Sequence, residues 1–231
     1  MVNLTGTMRT SEFDSSDEDS EEQHQLPLQV SWLALSVVNC HQFLGICALP
    51  GCKFKDVRRN LQKDLEELKN HDIQDVFVFC TKGEMVKYRV PGLLESYEQH
   101  GFKVYHYPFP DGSVPDIANC WKILEELRIC LENAKRILIQ CYGGLGRSCL
   151  IAACLLLQLS DTMLPEEAIG YLRELRGAAA IQTVKEQYLI LSSNKYCSDT
   201  QDCKLLARSL HNFPTKRTVR KQSNLKNRKY N

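Results

Sequence analysis

Unbroken apolar runs alternate along the chain with stretches whose apolar residues recur every three or four positions, so strands interleaved with helices are expected. Ordered structure is expected to begin near Val30, Ser31 and Trp32, with a short strand over residues 43–47 and a turn at Pro50-Gly51. From Asp56 onward Val57, Leu61, Leu65 and Leu68 mark one helical face. Residues 76–80 are apolar throughout, the character of a strand buried on both faces. A second helical stretch then runs to a stop at Gly101, and residues 102–107 read as another strand. Residues 108–115, rich in Pro, Gly and Asp, form a loop. Asp116 is placed to cap a helix running to about Asn133, with Ile117, Trp121, Leu124, Leu127 and Leu131 on one face. Ile137, Leu138 and Ile139 make a short strand, and residues 148–159 are apolar on nearly every side, as in a helix at the centre of a fold. Pro165 opens the next helix and Gly177 ends it; a last helix is expected from Gln182 to about Ser192. The sum is an α/β fold: a single domain over residues 27–195 with a central, mostly parallel sheet flanked by helices.

The ends of the chain differ from this middle. Residues 1–26 are acidic and Ser-rich, with seven acids and no base between Glu12 and Glu22, and are expected to be disordered. Ser15 and Ser16 precede Asp17, Glu18 and Asp19, a context for acidophilic kinases or simply part of a solvating tail. Residues 196–231 form a basic tail, also expected to be disordered apart from a weak helix over 197–211. Between Asn212 and Asn231 there are seven bases and no acid. There Lys216, Arg217, Arg220 and Lys221 read as an import signal, an anion-binding patch or a solvated end.

Composition narrows the class. The chain has 231 residues, 43% hydrophobic and 25% charged, with a net charge of +1, which is ordinary for a globular protein and argues for no nucleic-acid partner. The first twenty residues hold no apolar run, and the most apolar stretch, residues 149–157, is too short to span a bilayer. Eleven cysteines, an odd number, without a secretory signal read as free thiols in a reducing compartment, so the cytoplasm, the nucleus or both are expected. No Cys-x-x-Cys pair is present, and neither a metal nor a cofactor is expected. Nothing in the sequence calls for a second copy; a monomer is expected.

The candidate chemistry lies in Cys141-Tyr142-Gly143-Gly144-Leu145-Gly146-Arg147-Ser148. The cysteine follows a strand and precedes a buried helix. Three glycines among the next five residues let the backbone curl until its N–H groups point inward, and the helix N-terminus adds its dipole. Such a concavity favours a thiolate and a phosphate together. Arg147, on the first helical turn, has the planar fork that takes two phosphate oxygens at once. Ser148 is placed to donate a hydrogen bond to the sulfur. A proton for the departing oxygen must come from an acid on a facing loop. Asp111, in Pro108-Phe109-Pro110-Asp111-Gly112, suits that role better than Asp116, whose position suits a cap. Cys-x5-Arg alone is a weak signal, and an ordinary buried thiol is its bland alternative. The preceding strand, the glycines, the Arg-Ser pair and the Asp111 loop together make it specific for phosphate.

These residues resemble the cysteine-based protein tyrosine and dual-specificity phosphatase superfamily, and within it the kinase-associated phosphatases. The resemblance covers about residues 10–190, with distinctive stretches at 10–18, 43–59, 73–80 and 141–157. It implies an α/β phosphatase fold, a shallow site open to phosphothreonine, phosphoserine and phosphotyrosine, and a phosphorylated cyclin-dependent kinase as partner. By position it makes Cys141 the nucleophile, Arg147 the phosphate clamp and Asp111 the general acid. Gln182 falls where relatives place a polar residue near the site, or is a helix-start residue facing solvent. Two features depart from the pattern. The superfamily has His before the nucleophile, whereas this chain has Gln140; a neutral amide carries no positive charge, which predicts slower turnover rather than lost chemistry. The last helix, which by the resemblance helps dock the kinase, is altered beyond about Tyr188. An alternative of another class follows from Gln140: a module that binds or inhibits a phosphoprotein without effective turnover. A phosphatase of lipid or RNA phosphates is disfavoured, because Tyr142 and Leu145 bring no charge into the loop.

Overall fold

The computed structural model of the protein describes residues 27–38, 40 and 42–199, with residues 192–199 described by their backbone only. The acidic segment 1–26 with Ser15 and Ser16, and the basic stretch from residue 200 with Lys216, Arg217, Arg220 and Lys221, lie outside the described residues. Five strands form one sheet: β1 (Ser31–Ala34), β2 (Phe43–Cys47), β3 (Asp75–Val78), β4 (Lys103–His106) and β5 (Ile137–Gln140). Their order is β1-β2-β5-β3-β4. Only the β1–β2 pair is antiparallel; β2, β5, β3 and β4 run parallel. β5 is central, and all four of its residues are buried, as its unbroken apolar run requires.

Among the described residues seven α-helices flank the sheet: α1 (Leu61–Asn70), α2 (Lys82–Lys87), α3 (Leu93–Gln99), α4 (Ile117–Glu132), α5 (Arg147–Leu159), α6 (Pro165–Arg176) and α7 (Val184–Asp199). α5 is buried along its whole length. A 3-10 turn over Leu35–Val38 follows β1.

Several boundaries differ from the sequence expectation, each for a local reason. α1 begins at Leu61 rather than near Asp56, because the Asn60 side chain accepts from the Lys63 N–H and so ends the preceding loop. Val57, which matches the helical spacing, lies exposed in that loop. The stretch before Gly101 is two helices. Thr81 and Glu84 form a capping box that starts α2, and Pro91-Gly92 separates it from α3. On α4, Asp116 is the N-cap and the buried residues are centred on Leu124, Leu127 and Leu131, while Ile117 is exposed. α7 starts two residues after Gln182 and continues through Asp199, beyond the domain limit expected at 195.

Candidate active site

The strand register sets where the loop emerges. Cys47 of β2 and Val78 of β3 both stand level with Gln140, the last residue of β5. Cys141 therefore leaves the middle of the sheet at its carboxyl edge, where open α/β sheets bind ligands. It is 3% exposed.

A loop whose amides turn inward must turn its carbonyls outward, and each of those carbonyls then needs a donor. The structure supplies one for every carbonyl from residue 142 to 146. The Leu49 N–H donates to Tyr142 O at 3.0 Å and the Ile181 N–H to Leu145 O at 3.2 Å. Arg176, at the end of α6, donates from Nη2 to Gly143 O at 3.0 Å and from Nε to Gly144 O at 3.2 Å, while its Nη1 reaches Ser31 Oγ at 2.9 Å. The Cys149 thiol adds a bond to Gly144 O, and the Leu150 N–H donates to Gly146 O at 2.8 Å. The concavity is thus held from behind by four separate segments of chain. Gly144 has φ +66°, and a Cβ there would lie 2.5 Å from Cys47 O and 2.7 Å from Arg176 Nη2. A Cβ on Gly146 would meet Glu186 Oε1 at 2.7 Å. Glu186 is itself buried and caps α7 by accepting from the Thr183 N–H at 2.9 Å.

Gly146 is the N-cap of α5 and offers no side chain, so no cap side chain takes up the first-turn N–H groups of α5. Arg147 is fully buried. Its Nη1 and Nη2 donate to the two carboxylate oxygens of Glu84, both at 2.9 Å, and Nη1 also reaches Phe79 O at 3.1 Å and Phe109 O at 2.9 Å. Burial alone would lower the Arg147 pKa. The bonds to Glu84 and the negative charge of nearby groups outweigh it, so the guanidinium is held charged. Nε makes no hydrogen bond, and neither does the buried Ser148 hydroxyl. The bond expected from Ser148 to the sulfur is not among those formed, which leaves two donors beside the loop uncommitted.

Asp111 sits on the facing loop with its side chain 64% exposed, and its Oδ1 lies 3.3 Å from Arg147 Nη2. Because Arg147 also binds Phe109 O, one guanidinium spans from the loop of Cys141 to the loop of Asp111. Asp116 stands outside this set. Its carboxylate accepts from the Asn119 N–H at 2.8 Å, which holds its pKa below the usual carboxylate range. Gln140 is fully buried; its Oε1 accepts from the Tyr97 hydroxyl at 2.7 Å and its Nε2 has no partner. Gln182 is exposed, next to Ile181, whose N–H binds the loop at Leu145.

Three other buried thiols feel the charge of Cys141. Burial pushes Cys80 up to about 12 and Cys149 up to about 12, and it raises Cys47 further still; negative charge on Cys141 adds to each. These three stay protonated at neutral pH.

Sequence reasoning missed Glu84, Arg176 and Glu186. Glu84 and Glu186 each carry a visible signal, a Thr three residues before, but that spacing predicts only a cap. Arg176 carries none, since a basic residue in a last helical turn is ordinary.

As a whole, the site can hold a tetrahedral dianion against inward amides and a fixed guanidinium, beside a sulfur and within reach of a carboxyl. Comparison with known proteins gives the family and the fold. The model of the family described as cyclin-dependent kinase inhibitor 3 matches residues 3–169. The human cyclin-dependent kinase inhibitor 3 is 65% identical over 180 residues, covering 78% of this chain and 85% of its own. The pig protein of that name is 61% identical over 205 residues, covering 88% and 97%. A crystal structure of kinase-associated phosphatase, solved with its catalytic-site cysteine replaced by serine, superposes with a TM-score of 0.73 at 60% identity, covering 76% of this chain and 99% of that one. By descent and by fold, then, this chain is a member of the cyclin-dependent kinase inhibitor 3 family and carries its protein-phosphatase fold.

Proposed function

We propose that this chain hydrolyses phosphothreonine, phosphoserine and phosphotyrosine in proteins through a phosphocysteine intermediate, and that its substrate in the cell is the activation-loop phosphothreonine of a cyclin-dependent kinase. One observation carries the chemical part: Arg147, fully buried and gripped by Glu84, opens the helix that follows the glycine-rich loop and reaches the carboxylate of Asp111. The family name and the kinase-associated relative support the choice of kinase.

In the first step the Cys141 thiolate forms a bond to phosphorus while the bond to the side-chain oxygen breaks. The departing oxygen takes its proton from Asp111. Loop amides and Arg147 hold the equatorial oxygens as charge builds on them. In the second step water attacks phosphorus and gives its proton to Asp111. The sulfur leaves as thiolate, with the Ser148 hydroxyl as the donor that receives it. No step calls on a metal or a cofactor. Val184, Tyr188 and Leu191 form an exposed apolar stripe on α7, at the spacing of one helical face, and we assign it to docking of the kinase. The free thiols suit a monomer working in the reducing cytoplasm or nucleus.

The test is phosphate release by the full chain from a small aryl phosphate and from an activation-loop-phosphorylated cyclin-dependent kinase. Both activities are expected, and both should vanish in Cys141→Ser. Aryl phosphate hydrolysis that survives Cys141→Ser, or that is never present, refutes the reading. Gln140 motivates a second reading, a phosphoprotein-binding or inhibitory module, since the amide engages Tyr97 and brings no charge to the loop. Gln140→His decides it: turnover above the parent means that the amide only slows an active enzyme. A parent chain that binds the phosphorylated kinase without releasing phosphate makes it a binding module.

A further inference from the structure

Resting on the phosphatase reading, the geometry points to Lys55 and Lys87 as a cationic rim that selects phosphopeptides carrying a second negative group two or three residues from the phosphorylated one. The residue after the nucleophile begins the argument. The Tyr142 ring stacks on Tyr88 at 4.3 Å between centroids and meets the edge of Phe54 at 6.2 Å, while Phe54 and Tyr88 touch at 5.2 Å. These three rings build one wall of the site. Burial raises the Tyr88 hydroxyl to about 12, and the negative charges of Glu84 and Asp111 add to the rise, so the hydroxyl feels both carboxylates.

Two ammonium groups are held on the outer face of that wall. Lys87 Nζ lies 5.2 Å from the Phe54 centroid and 5.7 Å from that of Tyr88, and Lys55 Nζ lies 5.8 Å from Phe54. Both side chains are exposed, and neither has an ion-pair partner among the described residues. Asp56, beside Lys55, is exposed and makes no ion pair with it, and two other acids of this region are engaged elsewhere. Asp64 takes the Gly51 N–H and the Arg59 guanidinium, and Glu84 takes Arg147. The same bonds to Asp64, with the Lys53 N–H donating to Tyr88 O at 3.0 Å, brace the loop that presents Phe54 and Lys55. Lys55 stands at φ +53°, a left-handed backbone that a lysine rarely adopts, and Arg58 Nη1 binds back to Lys55 O and Val57 O. The loop therefore fixes the direction of this cation. Lys53 and Arg89 line the adjoining hollow and extend the positive field.

The two cations lie two ring contacts from Tyr142. An extended peptide advances roughly 3.3–3.6 Å per residue, so a side chain two or three places from the phosphoresidue reaches them. The charge stands on the rim and not inside the loop, where Tyr142 and Leu145 are neutral, an arrangement that suits a flanking group on a peptide better than a polyphosphorylated sugar ring.

The test uses the full-length Cys141→Ser chain, so that affinity is read without turnover. Three phosphothreonine peptides are titrated: one with neutral flanks, one with Glu at the flanking positions and one with a second phosphate. The anionic peptides are expected to bind about three- to tenfold more tightly than the neutral one, with the advantage shrinking as salt is added. Lys55→Ala combined with Lys87→Ala should make all three alike at an unchanged thermal midpoint. Equal affinities in the parent, or a preference that survives the double substitution, overturns the proposal. So does lysine-dependent capture of the chain by phosphatidylinositol-phosphate vesicles while the peptides bind alike, which would assign the rim to a membrane. Absence of aryl phosphate hydrolysis in the unsubstituted chain would instead strike the phosphatase reading. A Glu-flanked peptide preferred over the doubly phosphorylated one marks acidic side chains as the partner, and the reverse order marks a second phosphate.

Discussion

Removing Glu84 tests whether Arg147 works because it is charged or because it is held. The carboxylate makes two bonds of 2.9 Å to a guanidinium with no exposure, and its own side chain is 15% exposed. Breaking a fully buried pair by deleting one partner costs about 3–5 kcal/mol. The partial exposure of Glu84, and the carbonyls of Phe79 and Phe109 that remain as acceptors, bring the expected loss to about 2–4 kcal/mol for Glu84→Ala. Part of that is local, because Glu84 Oε2 also accepts the Thr81 N–H that caps α2. Glu84→Gln separates the two effects: the amide oxygen still caps Thr81, while the charge is gone. If about 2 kcal/mol of the pairing is used to aim Arg147 in the transition state, kcat/KM for an aryl phosphate falls about thirtyfold in Glu84→Gln. On the proposed mechanism the loss should lie mainly in kcat, since the guanidinium there follows charge that develops during reaction. Stability has a matching signature. Burial raises the Glu84 pKa, but the bonds from Arg147 and Thr81 outweigh it and the net shift is downward. A depressed carboxyl contributes stability above its unfolded pKa, near 4.3, and loses it as pH falls through the folded value. Urea midpoints of parent and Glu84→Gln should therefore differ at pH 7 and converge towards pH 3. A folded Glu84→Ala protein whose kcat/KM stays within twofold of the parent would refute the idea that this carboxylate positions Arg147.

Three further outcomes follow from the same geometry. Gly144→Ala forces a side chain into a left-handed backbone, about 1–2 kcal/mol by itself, and against Cys47 O; urea unfolding should report a larger loss, and phosphate release should fail. Arg176→Ala strips donors from Gly143 O and Gly144 O, two charge-assisted bonds of about 1.5–3 kcal/mol each, so kcat should fall and the thermal midpoint drop, with partial recovery in Arg176→Lys; unchanged kcat refutes the role. Iodoacetamide at pH 7.5 should leave Cys80 and Cys149 unlabelled in the folded protein, since burial holds both thiols at about 12; early modification of either, read by peptide mass mapping, contradicts this.

The strand, loop and helix around Cys141 were legible in the sequence because each is locally determined. The apolar run 137–139, three glycines and a helix that is apolar on nearly every side leave little choice of conformation. The alternation of elements was legible for the same reason. Helix starts were less so: Val57 keeps the spacing of α1, yet the cap at Asn60 decides where the helix begins. The supports of the site were hidden by distance along the chain. Glu84 lies 63 residues from Arg147, and Arg176 lies 33 residues from Gly143. Nothing in either local stretch distinguishes a surface charge from one that completes a pocket. Only the strand order, which brings the end of β3 beside the end of β5, reveals why Glu84 is there.

The central place of β5 has one more consequence. It is paired on both sides and leads into a helix with no exposed face, so fraying of the edge strands β1 and β4 begins two strands away from Cys141. Partial openings that cost less than global unfolding should spare the loop that follows β5. On gradual heating, catalytic capacity should persist through any early loosening of the periphery and disappear together with the last protected amides.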